Sequence, residues 1–178
     1  NIYIKQRPKT DFGGDFAKKT KINKDAVLIE NETDDRAITL FKFENNGIGI
    51  IETSRVSTGN KNDLKFTLTG NQGALIFSNE RNNEIQFYNN NEEESLKGFK
   101  KIEMGPFNDE FAKFHPVAGI GLGYQDYKLL ECKQIIEAIA LNGEAYPNFR
   151  WGAEIQLLVD AAIKSSKENR WIKIKELV

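Results

Sequence analysis

The sequence predicts an α+β fold: a mostly antiparallel open sheet with helices on one face and the other face used for oligomerisation. Three observations predict it. Residues up to about Met104 alternate short apolar runs with Asn- and Gly-rich turns. The last third instead carries apolar residues at helical spacing, twice. Between them lies an irregular, glycine-bearing connection, Gly105 to Gly123. Strands in a run followed by helices in a run are the signature of segregated α+β layers.

In order, Ile2 to Gln6 reads as a strand. Pro8 to Asp35 is a polar excursion with Gly13-Gly14 and one apolar run, Ala26 to Ile29, expected to be another strand. Ile38 to Glu44 and Ile48 to Ser57 flank Asn45-Asn46-Gly47, a hairpin signal, because Asn and Gly accept the left-handed backbone that tight hairpin turns require. Asn62 to Thr69 alternates cleanly, with Leu64, Phe66 and Leu68 on one side. Gly70 to Gly73 turns the chain into Ala74 to Phe77, and Asn79 to Asn83 turns it into Glu84 to Tyr88. Asn89 to Ser95 is an acidic loop, and Phe99 to Met104 is the last strand. Leu129, Cys132, Ile136, Ile139 and Ala140 then mark a helix that Gly143 stops. Trp151, Ile155, Leu158, Val159, Ala162 and Ile163 form a second stripe about 100° wide.

The strands carry an apolar surplus. Ile38 and Leu40 point one way and Phe41 and Phe43 the other; Leu75 and Phe77 oppose Ala74 and Ile76. Two helices cover one face of a sheet, so the second face is expected to be buried by another copy of the same sheet.

The 178 residues suit one domain with a real core. With 25 Lys and Arg against 26 Asp and Glu, there is no electrostatic footprint for nucleic acid or an anionic membrane. No apolar run approaches the roughly 18 residues of a membrane span. Cys132 is the only cysteine and cannot close an internal disulfide, which suits the cytoplasm. A chain that opens on Asn1 and at once on strand-like residues is expected to be part of something larger.

Chemistry-bearing motifs are few. Gly119-x-Gly-x-Gly123 is not a dinucleotide loop: the preceding Phe114 to Ala118 is a poor strand, the third glycine of that fingerprint is missing, and Asp126 would repel a phosphate. His115, the only histidine, cannot build a zinc site with one cysteine. It reads either as a satisfied loop histidine or as a contact to substrate hydroxyls, favoured by the glycines that let a ligand approach. Tyr124 and Asp126 share that loop and either bind substrate or merely pack and cap. Arg55 and Arg7 read as ion-pair or rim residues, or as hydroxyl ligands. Asp34-Asp35 reads as a cap or turn. Ser54, Ser57, Ser165 and Ser166 have no local base and there is no nucleophile elbow, which argues against a serine hydrolase, and Glu92 to Glu94 reads as solvated charge.

Several stretches together resemble a known family. Asp35 to Phe43 with Asn46-Gly47, Thr53 to Gly59 with Asn62, Thr69-Gly70 with Gly73 to Phe77, Glu80-Arg81 with Asn83 to Ile85, Gly119 to Glu131, and Phe149 to Trp171 are similar, in order and spacing, to the C-terminal domain of Gfo/Idh/MocA oxidoreductases. Phe114-x-Pro116-x-Ala118-Gly119 and Tyr124-x-Asp126 look most like the sugar, inositol or anhydrosugar dehydrogenases. The resemblance implies a sheet domain like that of dihydrodipicolinate reductase, spanning residues 1–178 as the substrate-binding and oligomerisation half of the enzyme. It implies NAD or NADP held by a nucleotide-binding domain that this chain lacks, a sugar, cyclitol or other polyol as substrate, and a homo-oligomer through the open sheet face. The family's catalytic motifs, a Glu-Lys-Pro lysine and an Asp-x-x-x-His pair, have no match here. No catalytic residue carries over, and these residues alone are expected to be inactive. Substrate-side candidates are His115, Tyr124, Asp126, Arg7 and Arg55. The rival reading is a free-standing ligand-binding or assembly module.

Overall fold

The computed structural model describes residues 2–9, 27–107, 112–115 and 117–178. Gly13-Gly14, Ala26 and Pro116 of the sequence readings lie outside them. The chain divides into two compact units, Asn1–Gly59 and Asn60–Val178. The architecture is α+β, with antiparallel sheets followed by two helices.

In the first unit, β1 (Gln6–Pro8) pairs antiparallel with β2 (Leu28–Glu30), Gln6 opposite Glu30. The strand expected over Ile2 to Gln6 thus begins only at Gln6. The backbone N–H groups of Tyr3 and Ile4 go to the Asp35 carboxylate, at 2.8 and 2.7 Å, instead of to a ladder. A second pair, β3 (Arg36–Lys42) and β4 (Ile48–Ser54), forms the hairpin, with Lys42 opposite Ile48. At its turn the Phe43 N–H donates to the Gly47 carbonyl (2.9 Å), the Gly47 N–H donates to Asn45 Oδ1 (3.0 Å), and Asn46 takes φ 65°. Asn is one of the few non-glycine residues that enters this left-handed region at low cost. Register puts Ile38, Leu40, Ile48 and Ile50 on one face and Phe41 and Ile51 on the other. The hairpin is apolar on both faces, and those first four residues are exposed.

In the second unit, β5 (Lys65–Thr69), β6 (Gly73–Ser78), β7 (Glu84–Asn89) and β8 (Lys100–Glu103) form an antiparallel meander in chain order. Gly73 is required where β6 meets β7, because a Cβ there would lie 2.3 Å from the Tyr88 carbonyl oxygen. One face collects Phe66, Leu68, Leu75, Phe77, Ile85, Phe87 and Ile102, with the Phe66 and Phe77 rings 5.3 Å apart. The opposite face departs from the two-sided pattern expected of this segment. Ile76 stands between Thr67 and Gln86, Gln86 faces Lys101, and Ser78 faces Lys65. Period-2 alternation along β6 alone could not reveal that the neighbouring strands put polar residues beside Ile76.

Helix α1 (Tyr124–Ala140) starts at Gly123, whose N–H donates to Asp126 Oδ2 at 2.8 Å. It ends with Asn142 at φ 50°, and the Gly143 N–H returns to the Ala138 carbonyl (2.8 Å). Helix α2 (Phe149–Glu168) is capped by Asn148, whose Oδ1 accepts the Trp151 N–H at 3.1 Å. It closes on Asn169 at φ 51°. Trp151, Ile155, Val159 and Ile163 of its stripe are exposed, while Ala161 is buried. Past α2, Arg170 holds Glu168 (2.7 Å) and Glu176 (2.9 Å), bringing the last residues back on the helix end.

Candidate functional site

Two polar centres stand out, one in each unit. In the first unit the centre is Asp35, which is 1% exposed. One carboxylate oxygen accepts the N–H groups of Tyr3 and Ile4, and the other pairs with Arg7 Nη2. These donors hold its pKa below the ordinary carboxylate value, the Ile4 N–H contributing most and burial opposing. The Asp35 carbonyl in turn accepts the Arg55 N–H at 2.9 Å. Both candidate arginines of this unit are therefore tied to one residue, Arg7 by side chain and Arg55 by backbone. Arg55 lies one residue past β4, not within a strand, because the Ser54 hydroxyl accepts the Val56 N–H (3.3 Å) and turns the chain.

In the second unit the centre is the loop that leads into α1. His115 is 1% exposed, and its Nδ1 is buried without a hydrogen-bond partner among the described residues. An unpaired buried nitrogen costs about 1–3 kcal/mol, which favours a water or ligand hydroxyl as its partner. Gly119 holds φ 86°, a conformation open to glycine. Leu122 is buried and pinned at both backbone groups by Asn83: its N–H donates to Asn83 Oδ1 (2.6 Å), and Asn83 Nδ2 donates to its carbonyl (2.9 Å). The Tyr127 hydroxyl donates to the Asn82 carbonyl (3.2 Å), and burial, then the Asp126 charge, raises its pKa.

The three loop candidates thus play different parts. His115 is enclosed with one free nitrogen. Asp126 spends one carboxylate oxygen on the helix cap. Tyr124 stands 66% exposed with Lys128 Nζ 5.6 Å from its ring centre, leaving its hydroxyl accessible. Sequence reading missed Asn83, Tyr127 and the role of Asp35. Asn83 and Leu122 are 39 residues apart, and no local spacing rule reports a side chain that reaches across that distance. Asp35 sits before a strand, where a cap is the usual reading.

A concavity of about 480 Å3 lies beside the clamp, lined by Glu80, Arg81, Asn82, Asn83, Glu84 and Lys101. Its charges are largely engaged with one another, Glu84 with Lys101 (3.6 Å) and Arg81 (3.9 Å). Among the described residues no group of His, Cys, Asp and Glu could hold a metal ion, and no helix is long and apolar enough to cross a membrane.

Comparison with known proteins agrees with this architecture. A family model described as the oxidoreductase family, C-terminal alpha/beta domain, matches residues 9–174. Levoglucosan dehydrogenase of Pseudarthrobacter phenanthrenivorans is 27% identical over 146 residues, covering 82% of this chain and 37% of that protein. An NAD binding oxidoreductase from Klebsiella pneumoniae superposes with a TM-score of 0.78 at 32% identity, over 84% of this chain and 40% of that one. Levoglucosan dehydrogenase in complex with NADH and L-sorbose superposes with a TM-score of 0.86 at 25% identity, over 97% and 43%. The chain belongs to the Gfo/Idh/MocA oxidoreductase family and corresponds to its C-terminal α/β domain. It spans about two fifths of the length of these relatives.

Proposed function

We propose that these residues form the substrate-side half of an NAD(P)-dependent dehydrogenase acting on a sugar, anhydrosugar, cyclitol or related polyol. The nucleotide is held by a separate domain of the parent protein. The observation that carries the reading is His115, enclosed with an unpaired Nδ1 on a glycine-bearing loop, in a chain whose relatives include a levoglucosan dehydrogenase. Polyols are recognised by a few fixed polar groups set against an apolar wall, and His115 and Tyr124 are such groups. Arg7 and Arg55, each tied to Asp35 within the first unit, are proposed as further hydroxyl ligands in their own right. Asp126 contributes its second carboxylate oxygen. The test is to assay the parent gene product for NAD+ and NADP+ reduction with levoglucosan, hexoses, L-sorbose and inositols. Saturable turnover with one of them is expected. No turnover with any polyol, by a folded protein that binds the nucleotide, overturns the reading. The isolated 178 residues should show no saturable NAD+ or NADP+ binding by calorimetry, and a micromolar dissociation constant would contradict the assignment of the nucleotide to another domain.

The same domain also serves assembly in this proposal. Ile38, Leu40, Ile48 and Ile50 stand exposed together on one face of the β3–β4 hairpin. Contiguous apolar surface of this kind marks contact sites, and a second copy of the chain is the occupant proposed. The lone Cys132 suits a cytoplasmic setting.

A further inference from the structure

We infer that Asn83 is a positioning residue: it sets the substrate loop by clamping both backbone groups of Leu122, so that polyol affinity depends on it although it lies in the turn before β7. The inference rests on the proposed reading of that loop as part of a polyol cleft. Asn83 stands just before β7, and its backbone carbonyl accepts the Met104 N–H at 2.8 Å, which fixes it to the end of β8. Its carboxamide then does for the loop what a neighbouring strand would do. Oδ1 takes the Leu122 N–H at 2.6 Å and Nδ2 gives to the Leu122 carbonyl at 2.9 Å. The amide can face only one way, since Nδ2 also donates to Asn82 Oδ1 (2.7 Å) and the Leu122 N–H needs an acceptor. Gly121 belongs to the same fit: a Cβ there would lie 2.9 Å from Asn83 Nδ2. One residue further along the sheet edge, the Asn82 carbonyl receives the Tyr127 hydroxyl, so the loop and the first turn of α1 are registered on adjacent residues.

His115 and Leu122 are the two most buried described residues of the segment that joins β8 to α1 apart from Gly105. The clamp fixes the backbone at the α1 end of the loop that carries His115. A catalytic or binding group displaced by about 1 Å loses on the order of 100-fold in efficiency. The Asn83 amide is spent on Leu122 and Asn82, so its loss should act through the loop, on polyol KM, and leave nucleotide KM alone.

The experiment uses the parent protein with Asn83→Ala, Asn83→Asp and Gly121→Ala, assayed with the polyol that the unsubstituted protein oxidises best. Asn83→Asp keeps the acceptor for the Leu122 N–H but sets a carboxylate against the Leu122 carbonyl. Gly121→Ala strains the clamp from the loop side and leaves Asn83 intact. Each should raise polyol KM at least tenfold, leave the KM for NAD+ or NADP+ within twofold, and speed hydrogen exchange at the Leu122 amide. Faster exchange at Leu122 with an unchanged polyol KM overturns the inference and leaves the proposed function standing. Parallel rises in the KM of both substrates also overturn it, because they report general loosening. Absence of polyol oxidation by the unsubstituted protein overturns the proposed function, and this inference with it.

Discussion

Arg7 and Asp35 form an ion pair in which the carboxylate is the more committed partner: Arg7 gives one nitrogen, while Asp35 also receives two backbone N–H groups from Tyr3 and Ile4. Removing Asp35 therefore orphans three donors, and removing Arg7 weakens one contact. Asp35→Ala should lower the melting temperature clearly more than Arg7→Ala, and should release the Tyr3 and Ile4 amides to hydrogen exchange. Acid should act in the same direction. The folded pKa lies below the ordinary value of 3.8, so the carboxylate's contribution is complete above that value and is lost as pH falls through the folded pKa. Equal effects of the two substitutions would show that Asp35 does no more than pair with Arg7.

Gly73 and Gly70 bracket one turn but differ in what surrounds them. A Cβ on Gly73 would meet the Tyr88 carbonyl oxygen at 2.3 Å, whereas on Gly70 its nearest contact is 3.9 Å away. Gly73→Ala must push β6 and β7 apart and should cost about 1–3 kcal/mol or more. Gly70→Ala should be close to neutral. Urea denaturation of the two variants decides it, and similar midpoints would refute the close approach.

Most of the fold was legible in the sequence because its signals are local. Asn45-Asn46-Gly47, the alternation of Lys65 to Thr69 and the stripe of α2 each occupy one element. What was not legible lies between elements. The strand start at Gln6 was displaced by the carboxylate of Asp35, 29 residues on. The second apolar face expected at Ala74 and Ile76 dissolved once Thr67 and Gln86 were placed beside Ile76 and Lys101 beyond Gln86. At the candidate site, the loop itself was marked by its glycines and by His115. The clamp was not, because an asparagine in a run of turn residues carries no sign that its amide reaches Leu122.

The hairpin face of Ile38, Leu40, Ile48 and Ile50 supplies a test of assembly. Lysine at Leu40 or Ile50 places a charge in the middle of the proposed contact, where desolvation is costly. Leu40→Lys and Ile50→Lys should shift the parent protein toward smaller species in analytical ultracentrifugation. Thr39, on the opposite face of β3, is the control position, and Thr39→Lys should leave the sedimentation pattern unchanged. A protein already monomeric at micromolar concentration would remove this face from the proposal.

Glu176 gives the C-terminal turn an acid-sensitive hold. Its carboxylate pKa falls from 4.5 to about 2, first through the Arg170 hydrogen bond and then through the Lys173 N–H. A depressed folded pKa stabilises above the unfolded value and is lost as pH falls through the folded one. Hydrogen exchange at the Lys173 amide should therefore accelerate as pH drops from 4.5 toward about 2, beyond the intrinsic pH dependence of exchange. Glu176→Gln should remove that additional dependence, and its persistence in the variant would assign it to another carboxylate.

The loop candidates can be separated from one another by their different structural commitments. Asp126 caps α1 through the Gly123 N–H, so Asp126→Asn should reduce helix stability by about 0.5–1 kcal/mol whether or not substrate binds there. His115 is enclosed, so His115→Ala removes packing as well as a hydrogen-bonding nitrogen. In the parent protein, His115→Ala should raise KM or lower kcat by about tenfold or more, the scale of one hydrogen bond to substrate, about 1.4 kcal/mol. His115→Leu fills the space but cannot hydrogen-bond. If packing alone matters, the leucine variant regains activity along with its melting temperature. If Nδ1 meets a substrate hydroxyl, the leucine variant regains stability while its kcat/KM stays low. Unchanged kinetics in both His115→Ala and Asp126→Asn, in folded protein, would leave Val117 to Gly123 as a connector held by Asn83 and nothing more.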